Sequence, residues 1–293
     1  MPRLVLCACV DIGSNTTRLL VAETGPGGFR EILAQRCFTR ISRATGPDGS
    51  IAREKVAEIA EVVAGQVEAA RALRADGLRV VATAAIRRAP NRDALAEAIR
   101  RRAGVEVEVL TAEQEARLAF TGATALIHPP PAGSIGVVDV GGGSSELAVG
   151  TVADGARWIV SLPVGSGVLA DAHLHSDPPG PDEVAALRAA AARAFGGVEP
   201  PHTDVAVAVG GSATSLRRLV GPVLDEESLA EALNAVVADR AASVARAFDL
   251  DTERVRLLPA GLAVLEEAAR VFAAPLELAL GGLREGVLME QAA

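Results

Sequence analysis

The sequence predicts an α/β protein made of two related domains that face each other across a central cleft. Two stretches, residues 10–20 and 137–150, share one pattern: an apolar run, an aspartate, a short loop of small residues and a second apolar run. The two aspartates, Asp11 and Asp139, lie 128 residues apart, a period far too long for a solenoid. Strand-like and helix-like runs alternate after each stretch, as in α/β folds.

Each small-residue loop is predicted to be the turn of a hairpin that binds phosphate. Glycine permits positive φ there, and without a Cβ it lets backbone N–H groups approach an anion. The aspartate that enters each loop offers a place for a divalent cation that bridges phosphate oxygens. The candidate phosphate-binding residues are Gly13, Ser14, Asn15, Thr16, Gly141, Gly142, Gly143, Ser144 and Ser145. A weaker signal follows an apolar strand, where Gly210 and Gly211 lead into a helix whose N-terminus can receive phosphate.

The first half is predicted to hold five strands and three helices. The predicted strands are 4–10, a partner ending near 22, 29–39, 78–82 and 105–110, with a turn at 25–28. A loop is predicted at 41–49 because glycine, proline and aspartate cluster there. Helices are predicted over 52–73, over 92–102 after a cap by Asn91, and from Thr111, which forms a capping box with Gln114.

Glu115 stands out in the helix that begins at Thr111. Its neighbour Glu113 has Arg117 four residues later and is expected to form a solvent-exposed pair. Glu115 instead shares its helical face with an apolar stripe, namely Leu118, Ala119, Gly122 and Leu126. A lone carboxylate on such a face is explained by a catalytic or metal-binding role. The alternative is a residue at the rim of the core that pairs with an arginine.

Residues 128–133, His-Pro-Pro-Pro-Ala-Gly, form the best linker in the chain. The predicted domains are therefore 1–128 and 129–293. After the second glycine hairpin we expect a strand at 156–162, a loop at 163–167, a helix at 182–195 and a strand at 205–209. Helices should then continue to about 272, before a strand at 276–280 and a terminal helix from 283.

Composition narrows the classes of partner. A net charge of −8 with 2% aromatic residues disfavours nucleic acid, which needs basic surface and stacking rings. Lys55 is the only lysine, so no GxxxxGK[ST] phosphate loop exists. No run approaches the ~20 apolar residues that cross a membrane. The cysteines, Cys7, Cys9 and Cys37, are expected to pack as small hydrophobic residues in a reducing cytoplasm, since a zinc site would need further cysteine or histidine residues at ligand spacing. The four histidines fall in loop-like stretches and are expected at the surface.

The chain resembles the exopolyphosphatase and guanosine pentaphosphate phosphatase (Ppx/GppA) family, within the sugar kinase, actin and heat-shock chaperone superfamily. Five ordered segments carry the resemblance: 11–19, 82–87, 111–118, 139–146 and 282–286, the last reading Gly-Leu-Arg-Glu-Gly. The resemblance implies two ribonuclease-H-like, actin-like ATPase domains around a cleft. It also implies hydrolysis of a terminal phosphate from linear polyphosphate or guanosine pentaphosphate with Mg²⁺, or with Mn²⁺ in its place.

The family's motifs also imply roles for individual residues. The second glutamate of its Glu-Glu-Ala-Arg segment, the proposed general base, falls on Glu115, although Gln114 replaces the first. Glu146 closes the second loop and is implied as catalytic; together with Asp11 and Asp139 it is implied to organise metal and water. Arg87 falls on a family arginine near the phosphates, and Arg18 is placed to help bind them.

Some segments depart from the family pattern. Ser145 replaces the usual threonine, residues 165–169 lack an arginine that many relatives carry, and residues 41–44 differ from the usual Arg-Leu-Gly loop. The chain also ends soon after Gly286, without the C-terminal helical domain of longer members, which favours short polyphosphate.

The leading interpretation is therefore an exopolyphosphatase acting in the cytoplasm, with guanosine pentaphosphate hydrolysis as the near alternative. A small-molecule kinase and a non-catalytic binder of polyphosphate or alarmone are alternatives of another class. No nucleic acid or membrane partner is expected, and dimerisation among superfamily members makes a homodimer an expectation.

Overall fold

The computed structural model describes residues 4–25 and 28–293. The chain forms two compact units: one contains the chain up to Leu118 together with Leu283–Ala293, and the other is Ala119–Gly282. Each unit has a mixed β-sheet with helices packed on it, as the α/β prediction requires. The predicted turn at 25–28 includes residues 26 and 27, which lie outside the described residues.

The first unit opens with three antiparallel strands and extends its sheet with two parallel ones. The strand order is β3-β2-β1-β4-β5, with β1 (Val5–Ile12), β2 (Thr17–Gly25), β3 (Gly28–Cys37), β4 (Gly77–Ala82) and β5 (Glu108–Val109). The helices that follow in the chain are α1 (Arg53–Ala72), α2 (Ala84–Arg88), α3 (Arg92–Ala103) and α4 (Ala112–Ala125).

The second unit repeats this opening. Its strand order is β10-β11-β9-β6-β7-β8, with β6 (Ile135–Val140), β7 (Ser145–Thr151), β8 (Gly155–Leu162), β9 (Val205–Val209), β10 (Val223–Leu224) and β11 (Leu276–Leu278). Its helices are α5 (Ser166–His173), α6 (Pro181–Ala194), α7 (Gly210–Val220), α8 (Glu226–Val237), α9 (Ala241–Ala247), α10 (Thr252–Val255) and α11 (Leu258–Phe272). The last helix, α12 (Leu283–Ala292), returns to the first unit.

Within the described residues, the first four strands of the two sheets correspond, although the first sheet has five strands and the second has six. In each, an antiparallel three-stranded opening (β1-β2-β3 or β6-β7-β8) is continued by a parallel strand beside its first member, β4 or β9. This correspondence is the structural form of the repeat that the two aspartate-and-glycine stretches predict.

The units divide at different residues from those predicted. The division falls inside α4, after Leu118, rather than at residue 128, and α12 joins the first unit instead of closing the second. Apolar packing explains both differences. Leu118 packs with Leu110 and with Leu283 of α12 in one buried cluster, whereas Phe120, two residues on, packs against the second unit's sheet.

Several local predictions also needed correction. Residues 83–91, where no element is predicted, contain the short helix α2, and the predicted loop at 163–167 contains the start of α5. Because α5 extends to His173, this histidine is helical rather than in a loop. The predicted strand at 105–110 pairs only over Glu108–Val109. Asn91 sits at the start of α3 but makes no side-chain cap; its amide exchanges hydrogen bonds of 2.9 and 2.8 Å with the backbone of Ile51.

The core is aliphatic, as the composition predicts. Cys7 and Cys9 are buried in the central strand β1, and all three cysteines are free thiols. Burial raises the pKa of Cys9 far above its ordinary value, so this thiol remains protonated and packs as a small apolar group. Among the described residues, no helix is both long enough and apolar enough to cross a membrane.

Candidate active site

The two small-residue loops close with the same hydrogen bond. The amide of Gly13 donates to the Thr16 carbonyl at 3.0 Å, and the amide of Gly141 donates to the Ser144 carbonyl at 3.0 Å. The expectation that these glycines supply positive φ is wrong, because none of residues 13 and 141–143 has it. A Cβ on Gly141 would lie 2.9 Å from the Ser144 oxygen, so the tight turn itself requires glycine there.

The loop carbonyls are held from one side by the segment that follows each three-stranded opening. In the second unit, Gly141 and Gly142 accept from the amides of Ser166 and Gly167, at 2.9 and 3.0 Å, in the first turn of α5. In the first unit, the carbonyls of Ser14 and Asn15 accept from the amides of Ser42 and Arg40, at 3.3 and 2.9 Å.

This arrangement fixes the direction of the loop amides. In a trans peptide the N–H of the next residue points opposite to the carbonyl. The amides of Asn15, Thr16, Gly142 and Gly143 therefore point away from the segments that hold the carbonyls. Successive N–H groups that point to one side of a loop form a concave site that favours anions.

The residues opposite the two aspartates carry opposite charges. Asp11 pairs across the hairpin with Arg18, whereas Asp139 pairs across its hairpin with Glu146. Directly opposite residues on antiparallel strands lie on the same face with Cβ atoms roughly 5 Å apart. The first loop thus places a cation beside its acid, while the second places two carboxylates side by side, an arrangement that attracts a cation.

Asp11 is a buried carboxyl between charges of both signs. Burial raises its pKa above the ordinary value, Arg284 and Arg18 lower it, and Glu285 raises it. Its Oδ1 atom is enclosed and has no hydrogen-bond partner. Arg284 and Glu285 come from the first turn of α12, so the Gly-Leu-Arg-Glu-Gly segment contributes charge next to the first loop.

Glu146 and Ser145 are held from the neighbouring strand and loop. Glu146 is 2% exposed, and its Oε1 accepts a 2.8 Å hydrogen bond from the Ser161 hydroxyl of β8. The Ser145 hydroxyl donates to the Val164 carbonyl at 2.7 Å. Ser145 was predicted to bind phosphate, but in this structure its hydroxyl holds the loop after β8, so it supports the site from within the fold.

Gly210 brings the backbone of a second glycine segment against Asp139. Its φ is 95°, and a Cβ there would lie 2.7 Å from Asp139 Oδ1 and 2.8 Å from the Val140 carbonyl oxygen. Only glycine therefore allows β9 to turn into α7 at this distance from the aspartate. Gly211 lies in the first turn of α7, as the strand, glycine pair and helix pattern predicts.

Glu115 and Arg87, which the sequence marks separately, form one ion pair. The Arg87 Nη1 atom lies 2.8 Å from Glu115 Oε2 and donates a second 2.8 Å hydrogen bond to the Leu110 carbonyl. Glu115 is 7% exposed, as its place on an apolar helical face predicts. The pairing itself agrees with both interpretations made from the sequence, the catalytic carboxylate and the rim carboxylate paired with an arginine.

Comparison with known proteins identifies the family. The profile of the Ppx/GppA phosphatase family matches residues 20–293. The chain belongs to the Ppx/GppA phosphatase family. Exopolyphosphatase 1 of Mycobacterium tuberculosis is 30% identical, over 96% of this chain and 87% of that protein. The Aquifex aeolicus Ppx/GppA family member is 27% identical, with a TM-score of 0.82 over 98% of this chain and 97% of that one.

An exopolyphosphatase from Cytophaga hutchinsonii shares the fold at 17% identity, with a TM-score of 0.87 over 98% of this chain and 97% of that one. The predicted family, the two-sheet α/β fold of actin-like type and the phosphatase class of enzyme are thereby confirmed.

The Ppx/GppA assignment suggests a metal-dependent enzyme, and the second unit offers a fitting place for a cation. Among residues 4–25 and 28–293, no group of three or more histidine, cysteine or acidic side chains is arranged to hold a metal ion. Mg²⁺, however, is commonly held by one or two carboxylates, with waters and substrate phosphates completing its shell. Asp139 and Glu146 supply such a pair.

Sequence reasoning missed the residues that support the site from a distance. Arg284 lowers the pKa of Asp11. The Ser161 hydroxyl donates a hydrogen bond to Glu146, and the Val164 carbonyl accepts one from Ser145. The only early signal for any of them was the family resemblance of residues 282–286, which marked the segment without giving it a role.

Proposed function

We propose that this family member is an exopolyphosphatase that releases terminal orthophosphate from inorganic polyphosphate. The observation that carries the proposal is the buried Glu115 carboxylate held by Arg87, in a phosphatase family whose relatives include Exopolyphosphatase 1. The aligned amides of both glycine loops support binding of phosphate.

In the proposed reaction, Glu115 is the general base. An arginine partner favours the ionised form of a carboxylate and fixes its orientation. Glu115 accepts a proton from a water molecule as the water oxygen forms a bond to the terminal phosphorus. The bridging P–O bond breaks in line, and its electron pair stays on the bridging oxygen of the polyphosphate, which leaves one unit shorter. The attacked phosphorus is released as orthophosphate.

The remaining site residues are proposed to bind the substrate and a cation. The amides of Asn15, Thr16, Gly142 and Gly143 bind phosphate oxygens, with Arg18 and Arg87 adding positive charge. The amides of Gly13 and Gly141 instead close the two loops, and Ser14 and Ser144 stay predicted phosphate contacts. Asp139 and Glu146 would hold Mg²⁺, which supplies positive charge that offsets the phosphate oxygens. Mn²⁺ serves as the alternative ion. Asp11, whose charged neighbours are Arg284, Arg18 and Glu285, stays a predicted metal ligand. Gly210 and Gly211 stay predicted phosphate contacts.

Three further expectations accompany this proposal. Free cysteines are consistent with action in the cytoplasm. No nucleic acid or membrane partner is proposed, and a homodimer stays a prediction. The exopolyphosphatase activity itself is tested by comparing substrates.

The test measures orthophosphate release from short polyphosphate, long polyphosphate, guanosine pentaphosphate and ATP, each with Mg²⁺ and with chelator. We expect release from polyphosphate and its loss with chelator, and the two polyphosphate lengths report the chain-length preference. Release confined to guanosine pentaphosphate would replace polyphosphate by the nucleotide as substrate. Binding of polyphosphate without any release would indicate a binding protein, and ATP consumption that requires a small-molecule acceptor would indicate a kinase.

A further inference from the structure

Two helices of the first unit meet backbone to backbone at Gly286. A Cβ built on Gly286 of α12 would lie 2.7 Å from the carbonyl carbon and 3.0 Å from the Cα of Leu118 in α4, and closer still to the Leu118 oxygen. No side chain fits at this distance. Only glycine at residue 286 therefore allows α12 to approach α4 this closely.

Leu118 lies one helical turn after Glu115. Residues three apart are neighbours on the same helical face, so the α12 contact falls directly beside the carboxylate-bearing turn. The start of that turn is fixed as well, because Thr111 and Gln114 form the predicted reciprocal cap with bonds of 2.8 and 3.1 Å. The position of Glu115 is therefore determined by the cap on one side and by the contact at Leu118 on the other.

α12 is held firmly by contacts other than Gly286. Gln291 donates a 3.2 Å hydrogen bond to the Ala8 carbonyl of β1, and Glu290 pairs with Arg79 of β4 at 2.9 Å. Leu283, Val287 and Leu288 are buried in the cluster that also contains Leu118. Because α12 is anchored to the sheet, a methyl group at residue 286 would displace α4 more readily than α12.

We infer that Gly286 is a positioning residue for Glu115. Because it has no side chain, α4 packs closely against α12, and this packing fixes the position of the Glu115 carboxylate relative to Arg87. This gives a role to the Gly-Leu-Arg-Glu-Gly segment, and it rests on the proposed role of Glu115 as general base. Misplacement of a reacting group by about 1 Å can cost roughly 10²-fold in rate.

Two other glycines provide matched controls. Gly281 approaches the backbone of α4 in the same way, with a Cβ 2.9 Å from the carbonyl carbon of Gly122, but this contact lies in the second unit, seven residues after Glu115. Gly65 is helical like Gly286, and a Cβ there meets no atom within 4 Å. Gly281→Ala therefore repeats the steric conflict at another place, and Gly65→Ala repeats the helical glycine replacement without a conflict.

The experiment measures kcat and KM for polyphosphate hydrolysis, with thermal unfolding, for the three alanine variants and for Gly286→Ala combined with Glu115→Gln. We expect Gly286→Ala to lower kcat by about 10- to 100-fold with KM nearly unchanged. Gly281→Ala should lower Tm and retain kcat. Gly65→Ala should lower neither Tm nor kcat. In the Glu115→Gln background, Gly286→Ala should have no further effect on kcat, because it acts through the carboxylate.

An unchanged kcat in Gly286→Ala, an equal loss of kcat in Gly281→Ala, or an undiminished effect of Gly286→Ala in the Glu115→Gln background would each overturn the inference. The proposed function fails separately, through its own controls. If Glu115→Gln hydrolyses polyphosphate as fast as the parent, the general-base role is wrong, and the inference fails with it. If Glu115→Gln is impaired and Gly286→Ala is not, only the inference fails.

Discussion

Two glutamates of α4, two residues apart, show how much the surroundings of an ion pair decide its role. Glu113 lies 2.8 Å from Arg117, and Glu115 lies 2.8 Å from Arg87. The Glu113 side chain is 65% exposed, so water screens its pair and the pair contributes little. The Glu115 side chain is only 9% exposed, so its charge acts in a less polar environment, which suits the general-base role proposed for it.

Gly210 offers a test of the second loop at the scale of one residue. Gly210→Ala adds the cost of positive φ, about 1–2 kcal/mol, and a clash with Asp139 Oδ1 and the Val140 carbonyl. Gly197→Ala is the matched control, because its φ is 78° and a Cβ there meets nothing within 4 Å. We expect urea unfolding to show a larger loss for Gly210→Ala, together with lower activity. Equal losses of stability and full activity in both variants would show that the approach to Asp139 is unimportant.

The sequence predicts single residues well where the signal lies within one helix. The burial of Glu115 follows from its place on an apolar face, and the Thr111–Gln114 cap follows from spacing. Its partner Arg87 is 28 residues away, and the pairing depends on how α2 and α4 pack, which local patterns do not encode. Asn91 shows the opposite error, since a tertiary contact with Ile51 replaced the local cap.

At the scale of elements, the first turn of α6 contains Glu183, whose carboxylate accepts several hydrogen bonds. Glu183 accepts hydrogen bonds from the Ser176 hydroxyl, the Gly180 amide at 2.8 Å and the His175 amide at 2.6 Å. These bonds, led by that of Ser176, lower the pKa of Glu183 from its ordinary value of 4.5 to about 2. The carboxylate thus ties the segment before α6 to the helix's first turn.

This carboxylate makes the stability of the second unit depend on pH. Because the folded pKa of Glu183 is depressed, its contribution is full above about pH 4.5 and is lost as pH falls toward about 2. We expect Glu183→Gln to lower Tm at pH 7, with a smaller difference from the parent at pH 3. Asp182→Asn, in the same first turn, is the control and should show no such trend. A difference between Glu183→Gln and the parent that is independent of pH would contradict this account.

Element prediction succeeded where periodic patterns are long or bounded by glycine. β9 was predicted with its observed bounds, and α1 differs from its prediction by one residue at each end. The short helix α2 and the start of α5 were missed because their small residues resemble a loop. The amides of α5 bond the carbonyls of residues 141 and 142, so a tertiary contact stabilises a helix that composition alone does not predict.

At the scale of the whole molecule, the internal repeat was predictable and its boundaries were not. The two aspartate-and-glycine stretches predicted two units with the same opening, and both sheets have it. The proline-rich linker pointed to a boundary at 128, yet the chain changes units inside α4 and returns with α12. Packing of Leu118 and Leu283 into one cluster decides that division, and it joins residues far apart in the sequence.

The repeat also shows how duplicated openings can take different chemical roles. Equivalent positions hold Arg18 in the first hairpin and Glu146 in the second, each opposite an aspartate. The first hairpin therefore pairs its aspartate with a cationic side chain, and the second pairs its aspartate with the carboxylate that is proposed to share a metal ion with it. The account assigns proton removal to neither, but to Glu115 on the helix α4.

The most direct test of that assignment compares Glu115→Gln with Glu113→Gln in Mg²⁺-dependent phosphate release from short polyphosphate. Both changes replace one carboxylate of α4 by an amide and so remove the negative charge that pairs with an arginine. The two variants therefore differ in the position and the burial of the charge that is lost. The account predicts that Glu115→Gln lowers kcat by roughly 10²-fold or more while Glu113→Gln stays within about twofold of the parent. If thermal unfolding shows that both proteins are folded and Glu115→Gln releases phosphate as fast as the parent, the general-base role of Glu115 is contradicted.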